Sequence, residues 1–379
     1  MDSLFTVLLG YTQLTFICNT NLIVDNFNTK SVSGFVHVLT HFHSDHQPGL
    51  DKSFRGRIIC SQYTADLVIG LLHVNVNFVD VLQIGVEQVI SPPKDYRLSK
   101  YSITFIDANH CPGSVSVIIK GEGFAYYYMG DSRISSDVIS DTRSIWPNPF
   151  DIVWIDSTFA SDPLWDSMPL QQDSVHALID FLRSKPYDKF ALELEMLGTE
   201  IFIDAVLDAF PDECILVMGI ERWNELEIIY GHDRKVMARL SLYGGDQLYC
   251  DAYRFVVQQR KYPTPRGFIR VRATTQRWAS TVKEQTSFSI IHFDQSTCYV
   301  FFSIHSSKKE IDDFVIHVQC KKVVRLFKSI AVVPNVTTIS NQINQVRREH
   351  VRRPFQFSND HVWLESMADS QETVPSTIW

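Results

Sequence analysis

Paired cysteines are missing from this chain. Seven cysteines (Cys18, Cys60, Cys111, Cys214, Cys250, Cys298 and Cys320) are scattered over 379 residues with no C-x-x-C among them. That argues against a disulfide framework or a zinc finger and fits a reducing compartment. Neither a signal peptide nor a membrane-spanning run is expected at the start of the chain. The apolar stretch Leu4 to Leu9 follows Asp2 rather than a positive start, and Tyr11, Thr12 and Gln13 interrupt it well short of spanning length; it reads as a first β-strand. Excess positive charge is also lacking. With a net charge of −8 the molecule as a whole is not drawn to a polyanion, so any contact with nucleic acid needs a local basic surface. What is present is apolar material: 45% hydrophobic and 12% aromatic residues suffice for one large domain or two ordinary ones with a filled core.

Short β-branched and aromatic runs recur in the first part, at Leu22 to Val24, Phe35 to Leu39, Ile103 to Ile106, Ser114 to Ile119, Ala125 to Met129 and Ile152 to Ile155. After Asp173 the period changes. Val175, Leu178, Ile179 and Leu182 repeat at helical spacing, a strand follows at Phe190 to Leu194, and a second helix carries Phe202, Ala205, Val206 and Ala209, the alternation of an α/β segment. Between Arg254 and Lys283 eight basic residues (Arg254, Arg260, Lys261, Arg266, Arg270, Arg272, Arg277 and Lys283) occur without an acidic one. Strand character returns at Tyr299 to Ile304, a helix is marked by Ile311, Phe314, Val315 and Val318, and an apolar strand is expected around Ile330 to Val333. From Asn341 to Trp379 the chain is basic at Arg347, Arg348, Arg352 and Arg353, then polar and acidic, and reads as a mobile tail.

The sharpest motif is T-H-F-H-S-D-H, Thr40 to His46, which sets three imidazoles and a carboxylate directly after an apolar strand. His41 and His43 can face one side of an extended turn, while Asp45 and His46 lie further along and can face a second ion. Imidazole suits zinc and related metals, and a carboxylate can bridge two ions. Asp25, His110, Asp131, Asp156 and His305 each stand just beyond the end of an expected strand, where layered α/β folds gather functional side chains. Taken singly, a histidine after a strand is more often a surface or core residue, and an aspartate a turn or cap residue; the repetition is what points to a site. Ser307 and Glu310 form an S-x-x-E capping box for the helix of Ile311 and Phe314. Its amides, with Ser306, Ser307 and Lys308, are expected to offer an anion pocket.

In this order, T-H-F-H-S-D-H with Gly49-Leu50, D-A-N-H-C-P-G-S at Asp107 to Ser114, M-G-D-S-R at Met129 to Arg133, I-D-S-T-F at Ile155 to Phe159 and S-I-H-S-S at Ser303 to Ser307 resemble the DNA-repair branch of the metallo-β-lactamase superfamily, which includes Artemis, Apollo and the interstrand-crosslink repair exonucleases. The resemblance runs to about Val336. It implies an α/β fold, a metallo-β-lactamase αββα sandwich (residues 1–171 and 284–340) with an inserted α/β β-CASP domain (172–283), and a site between the two. It further implies His41, His43, His110 and Asp131 as ligands of one ion and Asp45, His46 and Asp131 as ligands of a second, with zinc expected and Mg2+ or Mn2+ considered for the second site. Asp25 supports the ligand loop, and Asp156 and His305 flank the ions. The chain departs from the family's pattern at Gly198-Thr199-Glu200, where a lysine often stands between glycine and glutamate, and at Tyr249 and Cys250, where a histidine is expected.

The reaction expected is hydrolysis of a DNA phosphodiester, as a 5′-to-3′ exonuclease in crosslink or double-strand-break repair, by a nuclear and monomeric enzyme acting on single-stranded or end structures with a 5′-phosphate. Paired ions activate a water and polarise a phosphoryl oxygen. Asp45, Asp131, Asp156 and His305 are the catalytic candidates, His305 being placed to donate a proton to, or hydrogen-bond, the leaving oxygen. Arg270 and Arg272 are candidates for backbone contacts, and Tyr262, Phe268 and Trp278 for a stacking surface. A structure-selective endonuclease, an RNA-processing endonuclease of the same fold, a thioesterase-like hydrolase and a catalytically weak DNA-binding scaffold are the alternatives.

Overall fold

Strict alternation over Tyr101, Ile103 and Phe105 against Ser102, Thr104 and Ile106 gives a strand with two buried faces, and such strands build the first body of the protein. A computed structural model describes residues 15–28, 34–94, 98–160, 165–194, 196–245, 250–278 and 289–326, all within one compact unit, residues 1–333. The expected strands at Leu4 to Leu9 and Ile330 to Val333, the tail from Asn341 and the positions Lys283 and Tyr249 lie outside the described residues.

A five-stranded sheet takes β1 (Thr15–Phe16), β2 (Leu22–Val24), β3 (Val36–Val38), β4 (Arg57–Cys60) and β5 (Val79–Val81) in that order, with β2 to β5 parallel. A six-stranded sheet takes β6 (Glu87–Ile90), β7 (Tyr101–Asp107), β8 (Val115–Gly121), β9 (Phe124–Tyr128), β10 (Phe150–Asp156) and β18 (Cys320–Leu326). The two face each other across Val24, Val36, Val38 and Ile59 on one side and Ile103, Phe105, Val117, Tyr126 and Tyr128 on the other. Helix α1 (Gln62–Leu72) covers the outer face of the first sheet through Ala65 and Val68. Helices α2 (Ser136–Ile145) and α7 (Lys308–Val318) cover the second through Val138, Ile311, Phe314 and Val318. This is the expected αββα sandwich, since a sheet buried on both faces needs a cover on each side. Burying one such Phe or Ile contributes about 2 kcal/mol.

A third sheet of seven strands follows: β11 (Lys189–Glu193), β12 (Ile215–Val217), β13 (Leu240–Leu242), β14 (Phe255–Gln258), β15 (Phe268–Thr274), β16 (Ile291–Asp294) and β17 (Thr297–Phe301), in the order β13-β12-β14-β11-β15-β17-β16. Helices α3 (Gln171–Arg183), α4 (Glu200–Ala209) and α5 (Ile220–Tyr230) pack on one face through Leu178, Leu182, Phe202, Val206 and Leu226. A short α6 (Arg234–Met237) precedes β13. The chain pairs into this sheet as far as Phe301, beyond residue 283, where the sequence reading returned it to the sandwich. The strand expected at Tyr299 to Ile304 is found at Thr297–Phe301, and it pairs with β15. Periodicity identifies a strand and is silent about which sheet receives it.

Topology gathers the loops. Strands β2, β3 and β4 are parallel, β9 and β10 are parallel, and β7 is antiparallel to β8, which is antiparallel to β9. The C-terminal ends of β2 and β3 thus share one edge of the first sheet, and those of β7, β9 and β10 share one edge of the second. Asp25, Thr40 to His46, His110, Asp131 and Asp156 all sit at these ends.

Candidate metal centre

Asp25 shows how the site is assembled. It follows β2 with φ +52°, a left-handed conformation that Asp tolerates better than most residues. In that position Oδ1 accepts the Thr40 amide at 2.8 Å and Oδ2 accepts both the Thr40 hydroxyl at 2.8 Å and Nδ1–H of His46 at 2.8 Å. The Thr40 hydroxyl, having donated to Asp25, accepts from His41 Nδ1 at 3.0 Å. Elsewhere His110 Nδ1 donates to the Ile304 carbonyl at 2.9 Å and His43 Nε2 to the Leu197 carbonyl at 3.1 Å.

These partners assign the tautomers, and the remaining nitrogens are lone pairs that converge. His41 Nε2 is buried with no hydrogen-bond partner among the described residues. His43 Nδ1 and His110 Nε2 face each other at 3.0 Å with no proton left to share. Two imidazole lone pairs at hydrogen-bond distance repel unless a cation lies between them, so the donor set fits a metal ion. Ring protons held by carbonyl or carboxylate partners are the usual orienting arrangement around metal-bound histidine. Burial lowers all three pKa values, His43 to about 4 and His41 and His110 well below the ordinary value, the imidazoles reinforcing one another and Asp131 opposing. The rings are therefore neutral, as ligands must be.

Three ligand-capable groups overlap: His41, His43 and His110; His41, His46 and Asp131; and His110, Asp131 and His305, the atoms within each lying within 4.8 Å of one another. Asp131 belongs to two of them, with Oδ2 at 3.3 Å from His46 Nε2 and 3.9 Å from both His110 Nε2 and His305 Nδ1. Burial alone would raise the Asp131 pKa; the imidazoles of His46 and His305 overcome it and hold the carboxyl well below its usual range. Burial alone would lower the His46 pKa, but Asp131 and Asp25 outweigh it and raise it well above the ordinary imidazole value. An ion at His46 Nε2 must therefore displace a proton.

The sequence-derived residues fare unequally. His41, His43, His46, His110 and Asp131 come together. Asp45 stands beside them, Oδ2 at 3.8 Å from His46 Nε2, with its side chain 47% exposed, and it joins none of the three groups. His305 lies closer than a flanking residue need be. Its Nδ1 bonds Asp156 Oδ2 at 2.8 Å, and Asp156 in turn accepts the amides of Ser132 at 3.3 Å and Thr158 at 2.9 Å.

The residues of the expected anion pocket, Ser306, Ser307 and Lys308, have partners of their own. Ser306 is buried, its hydroxyl donating to Ser132 O at 2.7 Å and accepting the Ile134 amide at 2.9 Å. Ser307 and Glu310 complete the capping box, the Lys309 amide bonds Asp166 O, and Lys308 pairs with Asp312. The Ser306 hydroxyl and the amides of Ser306, Ser307 and Lys309 thus have partners within the protein. Arg270 and Arg272 both pair with the buried Glu193, at 3.2 and 2.6 Å. Phe268 and Trp278 are core residues and Tyr262 packs beside the former, so these aromatics do not form an open stacking face.

Two contributors escaped the sequence reading. Buried Arg133 pairs with Glu310 at 3.1 Å and donates to Ser303 O at 3.1 Å and Pro169 O at 2.8 Å, tying down the segment that carries His305. Its place in M-G-D-S-R was the available signal. Leu197 contributes only a carbonyl, for which sequence has no signal. Beside the His110 loop a cavity of about 850 Å³ is lined by Gln62, Gln83, Asp107, Asn109, Glu200 and Asp204, among others.

A family model described as DNA repair metallo-beta-lactamase matches residues 236–327. Among known proteins the chain is similar to mouse 5′ exonuclease Apollo (28% identical over 201 residues, 53% of this chain and 37% of that protein) and to human DNA cross-link repair 1A protein (30% over 219 residues, 56% and 20%). Chicken protein artemis is 22% identical over 364 residues, 86% of this chain and 47% of that protein. The chain thus spans less than half the length of each of these relatives. A crystal structure of a protein of unknown function from Enterococcus faecalis V583 shares the fold, with TM-score 0.53, 11% identity and 81% of each chain covered. Motif order, sandwich and converging imidazoles agree with these matches, and the chain is similar to DNA-repair proteins of the metallo-β-lactamase fold.

Proposed function

We propose that this protein is a zinc-dependent phosphodiesterase that cuts DNA, acting from a 5′ end in repair, with the sandwich and the third sheet as its two working parts. The observation that carries the reading is the convergence of His41 Nε2, His43 Nδ1 and His110 Nε2 on one point, with Asp131 and His46 beside it. When bound, one or two zinc-like ions would supply Lewis acidity that makes water nucleophilic at neutral pH and offsets charge on a phosphoryl oxygen. Asp131 is shared between the ligand groups and fixes their spacing. Asp156 holds His305 by Nδ1, leaving Nε2 as the nitrogen that can hydrogen-bond or protonate a leaving oxygen. The 5′ direction is supported by the likeness to the 5′ exonuclease Apollo, and a nuclear site of action by the likeness to DNA cross-link repair proteins.

The test is a gel assay on labelled single-stranded DNA with and without a 5′-phosphate, beside matching RNA and an Asp131→Ala control. Stepwise shortening of the phosphorylated DNA, absent in the control, is the expected result. Cleavage of RNA alone would move the reading to an RNA-processing enzyme, and no cleavage by zinc-loaded protein would move it to a DNA-binding scaffold.

A further inference from the structure

The hydrogen bond that fixes His43 comes from the third-sheet segment of the chain, and the pair that fixes that segment, Arg222 and Glu200, is buried. We propose that the Arg222–Glu200 ion pair is a positioning device for the metal centre: it locks the turn at Leu197 and Gly198, which in turn sets the ring of His43 against that of His110. The inference rests on the metal-centre reading above.

The contacts form one chain. Arg222, on α5, is fully buried; its Nη2 meets Glu200 Oε1 at 2.6 Å and its Nη1 meets Glu225 Oε2 at 2.9 Å. Glu200 opens α4, and its second oxygen, Oε2, accepts the Gly198 amide at 2.6 Å. Thr199, standing where the family resemblance suggests lysine, donates its hydroxyl to Met196 O at 2.6 Å and closes the same turn. Gly198 has φ +99°, and a Cβ there would lie 2.4 Å from the His110 carbonyl oxygen. No side chain fits between the turn and the His110 backbone. From this seat the Leu197 carbonyl takes the Nε2 proton of His43 at 3.1 Å.

A buried ion pair is a poor way to gain stability, because desolvation consumes most of the attraction, but it holds one geometry. The geometry held here decides a tautomer. Without the Leu197 carbonyl, His43 can carry its proton on Nδ1, which points that proton into the ligand cluster and removes a donor lone pair. Orienting partners of metal-bound histidine change affinity by about 10–100-fold when lost.

The experiment measures zinc affinity of the full chain by competition with a chromophoric chelator, together with the visible spectrum of the cobalt(II)-loaded protein. Wild type, Glu200→Gln and Tyr230→Phe are compared. Glutamine cannot accept from both Arg222 and Gly198, whereas Tyr230→Phe removes the hydrogen bond to Asp204 between the same two helices without touching the turn. The inference expects zinc bound about 10–100-fold more weakly by Glu200→Gln, with an altered cobalt spectrum, and wild-type values for Tyr230→Phe. Glu200→Gln with wild-type affinity and spectrum overturns the inference while leaving the metal centre intact, and so does an equal loss in Tyr230→Phe. Wild type that binds no zinc overturns the metal-centre reading and the inference with it. Should Glu200→Gln be insoluble, Gly198→Ala, which leaves the ion pair in place but pushes the turn off His110, carries the same expectation.

Discussion

The histidine cluster at the strand ends and the basic segment from Arg254 onward look equally purposeful in the sequence, and the structure treats them differently. At the cluster every imidazole has one nitrogen held by a named acceptor and its other nitrogen turned inward. Along the basic segment Arg260, Lys261, Arg266 and Arg277 are exposed, while Arg254, Arg270 and Arg272 are turned into the protein. Arg254 lies 4.8 Å from the Phe210 ring centroid and donates to the carbonyls of Leu182 and Lys185. Arg270 and Arg272 neutralise Glu193, and Arg277 sits over Tyr299 and bonds His292. Ligand spacing within six residues constrains side chains to one place, whereas a charge run spread over strands leaves each side chain to find its own partner.

The largest expected effect comes at the cluster. Asp131→Ala should lower cleavage of 5′-phosphorylated DNA by about a thousandfold or more, since it removes a residue common to two ligand groups, while the thermal transition of the metal-free protein remains cooperative. A folded variant with wild-type turnover would sink the assignment. Acidity offers a second probe. Because the His46 pKa lies well above the ordinary imidazole value before an ion binds, binding there releases a proton, and affinity should rise by about tenfold per pH unit until the pH passes that raised pKa. Calorimetric titration in buffers of different ionisation enthalpy reads the proton directly; binding with no proton release contradicts this part of the site.

In the basic segment the expected effects fall on stability. Arg254→Ala should cost about 2 kcal/mol in chemical denaturation, through lost packing on Phe210 and Phe255 and unpaired carbonyls. Replacing Arg270 and Arg272 together should cost about 1–3 kcal/mol, because the Glu193 carboxylate is left buried without its partners, with little change in the salt slope of DNA binding. A slope flattened by one or two units would return these arginines to the DNA surface and break the contrast.

Much of this was legible beforehand. The β-branched and aromatic runs of β7 and β8, the helical spacing of Val175 to Leu182 and the capping box at Ser307 are local signals, and local structure follows them. The ligand loop was legible because its residues are adjacent. What stayed hidden depends on three dimensions: that β17 joins the third sheet, that Ser306 is used by Ser132 and Ile134, and that a main-chain carbonyl at Leu197 orients His43. Backbone groups are the same at every residue, so no sequence pattern marks the one that matters.

The most direct measurement is the metal content and coordination of the purified full chain, by elemental analysis and X-ray absorption at the zinc edge. At least one zinc per chain with a nitrogen-rich shell at about 2.0–2.1 Å is the expected result, reduced in Asp131→Ala. A folded wild-type chain that takes up no zinc, or holds it through sulfur, would contradict the convergence of His41, His43 and His110 on a metal ion.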